Sequence, residues 1–184
     1  PLVYNDVPDN IMGDPLRVKQ VITNLVNNAI KFTQTGEVVL RASLEGEDAG
    51  TNRVRLLLSI TDSGPGLSRG HQQSLFAAFS QADASTARQY GGTGLGLAIS
   101  RRLVAEMEGR IGLESEPGKG STFWFSLTLE RAASGEATAP ENALRGERII
   151  YLEHQNTTGL AVEHLLTGWG LVVDRVTSPD ELRQ

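Results

Sequence analysis

A two-layer α/β sandwich is the fold this chain predicts, on three observations. GDPLRVKQVITNLVNNAIKFT carries apolar residues at helical spacing, EVVLRASLE and RVRLLLSIT read as paired strands, and RIGLES with STFWFSLTLE repeats the hairpin pattern after a second helical stretch. Strands that return as hairpins, without regular strand–helix–strand alternation, favour this architecture over a doubly wound sheet.

Each element has a local reason. After a short extended opening at Leu2 to Tyr4, Asp14 is a candidate N-cap and Pro15 suits the first helical position, so a helix is expected to run to about Phe32. Val18, Val21, Ile22, Leu25, Ala29 and Phe32 form its core stripe. The two strands that follow are separated by the polar GEDAGTN, read as a long loop. TDSGPGLS is a glycine-containing turn, HQQSLFAAF a short helix, and SQADASTARQY a polar stretch leading to GGTGLGLAIS and a helix from about Leu95 to Glu108. EPGKG joins the closing hairpin.

Composition changes at Arg131. RAASGEATAPENALRG is small, polar and without apolar period, so residues 131–146 read as a linker between a domain at 1–130 and a fragment at 147–184. That fragment gives strand, helix, strand and the start of another helix, too little for a complete domain.

The bulk numbers narrow the function classes. The chain has 184 residues, 39% of them hydrophobic, enough for one substantial core and a smaller appendage. No apolar run approaches the ~20 residues that cross a bilayer, and the first residues show no export signal, so a cytoplasmic chain is expected. There are no cysteines, which excludes disulfides and thiolate metal sites. A net charge of -5 argues against a broad nucleic-acid surface, and Lys19, Lys31 and Lys119 are the only lysines.

Three stretches carry candidate chemistry. In GGTGLGL the glycines fall at 92, 94 and 96, and the residues before them are polar. A dinucleotide fingerprint needs Gly at the sixth position and a buried strand before it, and a P-loop needs Gly-Lys-Ser/Thr; neither is met. What remains is a glycine-rich loop entering a helix N-terminus, where free N–H groups favour an anion, or simply a flexible loop. On the first helix, Gln20, Asn24, Asn28 and Lys31 form a second stripe. A solvated face is one reading; the other is an amide oxygen suited to Mg²⁺ beside a lysine suited to phosphate. Asp62 ends the apolar LLLSIT, where a carboxylate partly removed from water needs a donor such as an adenine amine, and Gly64 and Gly66 admit close approach. An ordinary turn also accounts for it.

The order of these motifs, NLVNNAIKFT, DSGPGL, LFAAF and GGTGLGLAIS, resembles the N, G1, F and G2 boxes of the catalytic ATP-binding domain of sensor histidine kinases. The wider family includes DNA gyrase, Hsp90 and MutL. The resemblance covers about residues 1–130 and implies the Bergerat fold, a mixed sheet with helices on one face and an ATP lid, here from about Leu67 to Gly91 and expected to be unordered without ligand. It implies Mg²⁺ coordination by Asn28 and phosphate contact by Lys31. Asn24 joins them in the nucleotide site. Asp62 would read the adenine amine, with Gly64 and Gly66 shaping that wall. Phe76 and Phe79 match the F box, and Gly92, Gly94 and Gly96 the lid hinge, with Thr93 and Leu95 adding backbone donors. Arg88 aligns with a lid arginine that reaches the γ-phosphate.

Where hydrolytic relatives carry a water-activating Glu, this chain has Asn24, and an amide cannot serve as general base. The resemblance therefore implies a domain that holds Mg-ATP and positions its γ-phosphoryl for another group, catalysis resting on Asn28, Lys31 and Arg88. The acceptor is expected on a separate dimerisation and phosphoacceptor (DHp) domain of the same kinase, because His71, His154 and His164 lie in no matching motif. The isolated chain is then a monomer that binds nucleotide without autophosphorylating. Residues 147–184 resemble the opening of a receiver domain in which Glu153 and His154 stand where an acidic pair holds Mg²⁺, a degenerate, truncated pseudoreceiver whose phosphoacceptor Asp would lie beyond Gln184. The combination is similar to the BarA/GacS type of hybrid sensor kinase, the cytoplasmic portion of a membrane-anchored bacterial protein with downstream receiver and phosphotransfer partners. Two alternatives stand beside it: a non-catalytic module of the same fold that docks on another histidine kinase, and an energy-coupled ATPase.

Overall fold

The computed structural model describes residues 1–48, 50–75, 95–132 and 144–181. In chain order these hold β1 (Leu2–Val3), β2 (Ile11–Met12), α1 (Pro15–Phe32), β3 (Val38–Asp48), β4 (Arg53–Asp62), α2 (Arg69–Ser74), α3 (Gly96–Glu106), β5 (Arg110–Glu116) and β6 (Gly120–Arg131). β7 (Arg148–Leu152), α4 (Asn156–Gly168) and β8 (Val172–Val176) follow.

β3, β4, β6 and β5 form the body of a mixed sheet, each antiparallel to its neighbour. β1 adds to β3 in parallel, and β2 pairs with the far end of β6. The helices α1 and α3 cover one face. Strand alternation places Leu56, Leu58 and Ile60 of β4 opposite Leu127, Phe125 and Phe123 of β6 on that face. Against them α1 turns Val21, Leu25 and Ala29, and α3 turns Val104; with Ile60, Phe123, Phe125 and Leu127 these form one buried cluster, and Leu58 packs against it. The largest members, Phe125, Leu25 and Ile60, are fully enclosed, each burial contributing about 1.5–3 kcal/mol.

Local chemistry sets the element ends as expected for α1. The Asp14 carboxylate accepts from the N–H groups of Leu16 and Arg17 at 3.0 and 3.1 Å, and Pro15 occupies the first turn. The GEDAGTN segment differs from the expected long loop: Gly46, Glu47 and Asp48 continue β3 through a bulge between Leu44 and Gly46. The physical cause is Asp48, which accepts from Gly50 N–H and the Thr51 hydroxyl and closes the turn tightly. α2 begins two residues earlier than HQQSLFAAF suggests, because Ser68 caps it.

The carboxy-terminal piece is a parallel pair, β7 and β8, joined by α4. α4 also touches the residues that follow β1. The Tyr4 and His164 rings meet edge to face with centroids 4.9 Å apart, and Asn5 donates its side-chain amide to the His164 carbonyl at 3.1 Å.

Candidate nucleotide site

The crossing of α1 and α3 fixes one end of the site. Arg17, near the start of α1, pairs with Glu106 at the end of α3 at 2.8 Å, while Asn24 donates its side-chain amide to Ser100 Oγ at 2.8 Å near the start of α3. The helices therefore run antiparallel. Gly96 lies against Asn24 so closely that an added Cβ would sit 2.3 Å from Asn24 Oδ1. Moving along α1 at about 1.5 Å per residue, Asn28 lies one turn past Asn24 and Lys31 nearly another. Both thus extend beyond the amino end of α3, where N–H groups carry no partner inside the helix and the dipole is positive. Leu95 precedes that helix and supplies no side-chain cap. Asn28 and Lys31 are partly exposed, and the Lys31 ammonium lies 5.1 Å from the Phe32 ring centre.

The other end is built on the last residue of β4. Asp62 is only 6% exposed, and its Oδ1 accepts from Gly64 N–H at 2.9 Å. Gly64 is squeezed between that carboxylate and the end of α1: a Cβ there would lie 2.8 Å from Asp62 Oδ1 and 3.1 Å from Phe32 O. Since Phe32 follows Lys31, this contact brings the two ends of the site to one corner of the molecule. Gly66, at φ 65°, packs on the β5–β6 turn, where a Cβ would be 2.0 Å from Glu116 O. No side chain fits at that position.

The closing hairpin contributes more than its sequence suggests. Gly120, at φ 92°, passes so close to Asp62 that a Cβ would be 1.9 Å from the Asp62 carbonyl oxygen. Ser121 is the direct strand partner of Asp62, and Thr122 shares a hydroxyl contact with Thr61 at 3.1 Å. A cleft of about 340 Å³ opens here, lined by Thr61, Asp62, Ser115 and Ser121 among others. EPGKGST reads as a hairpin turn in sequence; the signal in it was the pair of glycines around Lys119, which marks a backbone that must approach something closely.

Asn24, Asn28, Lys31, Asp62, Gly64, Gly66, Leu95 and Gly96 are all described; Asn24 and Gly96 meet at the α1–α3 crossing, and Asp62 and Gly64 meet the end of α1 at Phe32, next to Lys31. Asn24 is engaged with Ser100 rather than directed at open space. Phe76, Phe79, Arg88, Gly92, Thr93 and Gly94 lie outside the described residues, as does most of the expected lid; its described start, Leu67 to Leu75, packs on the core through Leu67 and Leu75. A second cleft of about 440 Å³ holds Asn24 with Leu16, Lys19 and Thr23 on the exposed face of α1, away from Asp62, and does not include Asn28 or Lys31.

In the carboxy-terminal piece, Glu153 accepts from Gln155 N–H at 2.8 Å, and Arg175 donates to the carbonyls of Glu153 and Asn156. A guanidinium thus stands at the strand ends where the sequence lacks an acidic pair.

Over 172 residues, 94% of this chain, the sequence is 50% identical to the sensor histidine kinase GacS of Pseudomonas protegens. Over 152 residues it is 45% identical to the signal transduction histidine-protein kinase BarA of Escherichia coli K12. The chain spans 18% and 16% of the length of these relatives. Among solved structures, full-length ShkA in complex with AMPPNP superposes over 100% of this chain and 36% of its own, with TM-score 0.75 and 32% identity. Residues 13–131 match the profile of the histidine kinase-, DNA gyrase B- and HSP90-like ATPases, and the chain belongs to that family.

Proposed function

We propose that this chain binds Mg-ATP and presents the γ-phosphoryl for transfer to a histidine on the phosphoacceptor-helix domain of a two-component hybrid sensor kinase. The observation that supports the reading is the antiparallel α1–α3 crossing, by which the end of α1 that carries Asn28 and Lys31 runs toward the α3 amino end, while Phe32 at that end meets Gly64 beside Asp62. Asp62 would receive the adenine amine, with Gly64 and Gly66 forming the wall beneath the base. Lys31 would neutralise phosphate charge, and Gly92, Thr93, Gly94, Leu95 and Gly96 would offer backbone donors. Phe79 would seat the lid and Arg88 would reach the γ-phosphate from it. The AMPPNP complex of a 32% identical protein supports the ligand class.

The residues present fit a magnesium ion held mainly by nucleotide. Among the described residues no group of three His, Cys, Asp or Glu could hold a metal alone, whereas the single Asn28 amide oxygen suits an ion whose other ligands are phosphate and water. Such an ion would supply charge neutralisation at the triphosphate. Asn24 cannot act as a base, and its amide is bonded to Ser100, so hydrolysis by the chain alone is slow. Residues 147–184 form the beginning of a receiver-like domain.

The test is calorimetric titration of ATP and ADP with and without Mg²⁺, followed by addition of a separate phosphoacceptor-helix domain. Mg²⁺-dependent binding and phosphotransfer lost in Asn28→Ala are expected. No binding at millimolar nucleotide would overturn the reading, and appreciable steady-state hydrolysis would favour an ATPase.

A further inference from the structure

Beside Asp62 lies a pair of hydroxyls to which the nucleotide motifs give no task. Ser121 of β6 is the strand partner of Asp62 on one side and of Ser115 of β5 on the other. The three side chains therefore stand in a row on the helix-covered face of the sheet. Ser115 Oγ and Ser121 Oγ are 3.0 Å apart.

The hydrogen bonds around Ser115 favour one arrangement of the protons. A hydroxyl has one hydrogen to donate and two lone pairs. Ser115 Oγ donates to Gly120 O at 3.0 Å and accepts from Leu67 N–H at 2.8 Å. With its own hydrogen on Gly120 O, the second lone pair of Ser115 is open to Ser121, and the two hydroxyls are then joined by the Ser121 hydrogen pointing to Ser115 rather than to Asp62. Gln72 holds this arrangement in place, its side-chain amide donating to Leu67 O at 2.8 Å and to Ser115 O at 2.9 Å.

We propose that Ser115 is a positioning residue for base selection: by taking the Ser121 proton it leaves Asp62 and Ser121 as two adjacent hydrogen-bond acceptors, a pattern that favours a 6-aminopurine over a 6-oxopurine. The inference rests on the nucleotide reading above. An amino group has two hydrogens to give to two acceptors. A 6-oxo group presents lone pairs to both, and at residues less than one-tenth exposed an unmatched polar contact is costly. Without Ser115 the Ser121 hydroxyl is free to turn and donate to that oxygen.

The experiment compares binding of ATP and of inosine triphosphate, which carries oxygen in place of the amine, to the full chain in Mg²⁺. The unmodified chain is expected to prefer ATP. Ser115→Ala should narrow the ATP:ITP affinity ratio about tenfold, chiefly by tighter ITP binding, and Ser115→Thr should restore it. Ser121→Ala, which deletes one acceptor without touching Leu67, should narrow the ratio too and serves if Ser115→Ala does not fold. Equal loss of both nucleotides in Ser115→Ala, or an unchanged ratio in either alanine variant, overturns the role of Ser115 alone. A chain that binds neither nucleotide overturns the site reading and this inference with it.

Discussion

Asn24 and Ser100 are joined by a 2.8 Å hydrogen bond across the α1–α3 crossing, and Ser100 is 1% exposed. Water cannot replace the partner of a group so enclosed. The bond is therefore a hinge pin between the helix that carries Asn28 and Lys31 and the helix whose amino end they face. Asn24→Ala is expected to cost about 1–3 kcal/mol of stability, because it leaves the serine hydroxyl buried and unpaired. Denaturant unfolding checks it, with an unchanged dependence on denaturant showing that the fold is retained.

Gly96 belongs to the same contact. Gly96→Ala places a methyl 2.3 Å from Asn24 Oδ1, so one helix must shift, at about 1–3 kcal/mol. Because the methyl meets a side chain at its flexible end, removing that side chain should relieve the clash. The double variant Gly96→Ala with Asn24→Ala is expected to lose less than the sum of the single variants, a coupling a double-mutant cycle measures directly.

At the opposite end of the site no side chain can give way. Gly120→Ala would set a methyl 1.9 Å from the Asp62 backbone oxygen at a residue with φ 92°. Both the backbone and the neighbouring strand oppose it, so a loss above about 3 kcal/mol is expected, with nucleotide affinity falling as Asp62 is displaced. Gly118, at φ 80° with open space around it, is the control. Gly118→Ala meets only the backbone term, about 1 kcal/mol, and thermal unfolding of the pair separates strain from clash.

Much of this was legible in the sequence where the cause is local. Asp14, Pro15 and the apolar period of α1 define that helix without reference to the rest of the chain, and the Asn28–Lys31 stripe follows from its 3.6-residue turn. The strand character of LLLSIT likewise places Asp62 at the end of a strand. What was not legible depends on pairing between distant segments. Ser121 faces Asp62 only because β6 pairs with β4 in one register; a slip of one residue would put Thr122 there instead. The closeness of Gly96 to Asn24 depends in the same way on how two helices cross. GEDAGTN differs from the expected long loop for another reason: Asp48 satisfies a tight turn with its own carboxylate, so β3 continues through residues polar enough to read as coil.

Tyr151 ties β7 to α4 by donating its hydroxyl to Gly159 O at 2.6 Å. Burial in that seam, with Glu163 nearby, holds its phenol above the usual value. The shift is upward, so the stability it contributes is complete below the unfolded value of about 10 and is lost as pH rises through the folded one. Tyr151→Phe is expected to cost about 0.5–1.5 kcal/mol at neutral pH and to abolish the alkaline decline. Unfolding curves between about pH 8 and 11, which span the phenol's ordinary titration, read both effects.

The contact of Tyr4 with His164 makes the carboxy-terminal piece a neighbour of the sheet edge rather than a tethered appendage. Tyr4 continues the pairing of β1, its N–H donating to Ala42 O at 2.9 Å, so a ring that packs on it is coupled to β3. Asn5 adds a bond to the His164 carbonyl. His164→Ala removes the ring and keeps the carbonyl, and should therefore cost about 0.5–1.5 kcal/mol of docking while leaving the Asn5 bond available. The expected signature in nuclear magnetic resonance is a shift of the Tyr4 ring and of Leu2 to Asn5 amides, with β4 and β6 unmoved. The same residues should respond when residues 144–184 are deleted, and more strongly, because that change removes both contacts at once. A Tyr4 ring indifferent to either change would mean that the two pieces do not dock in solution.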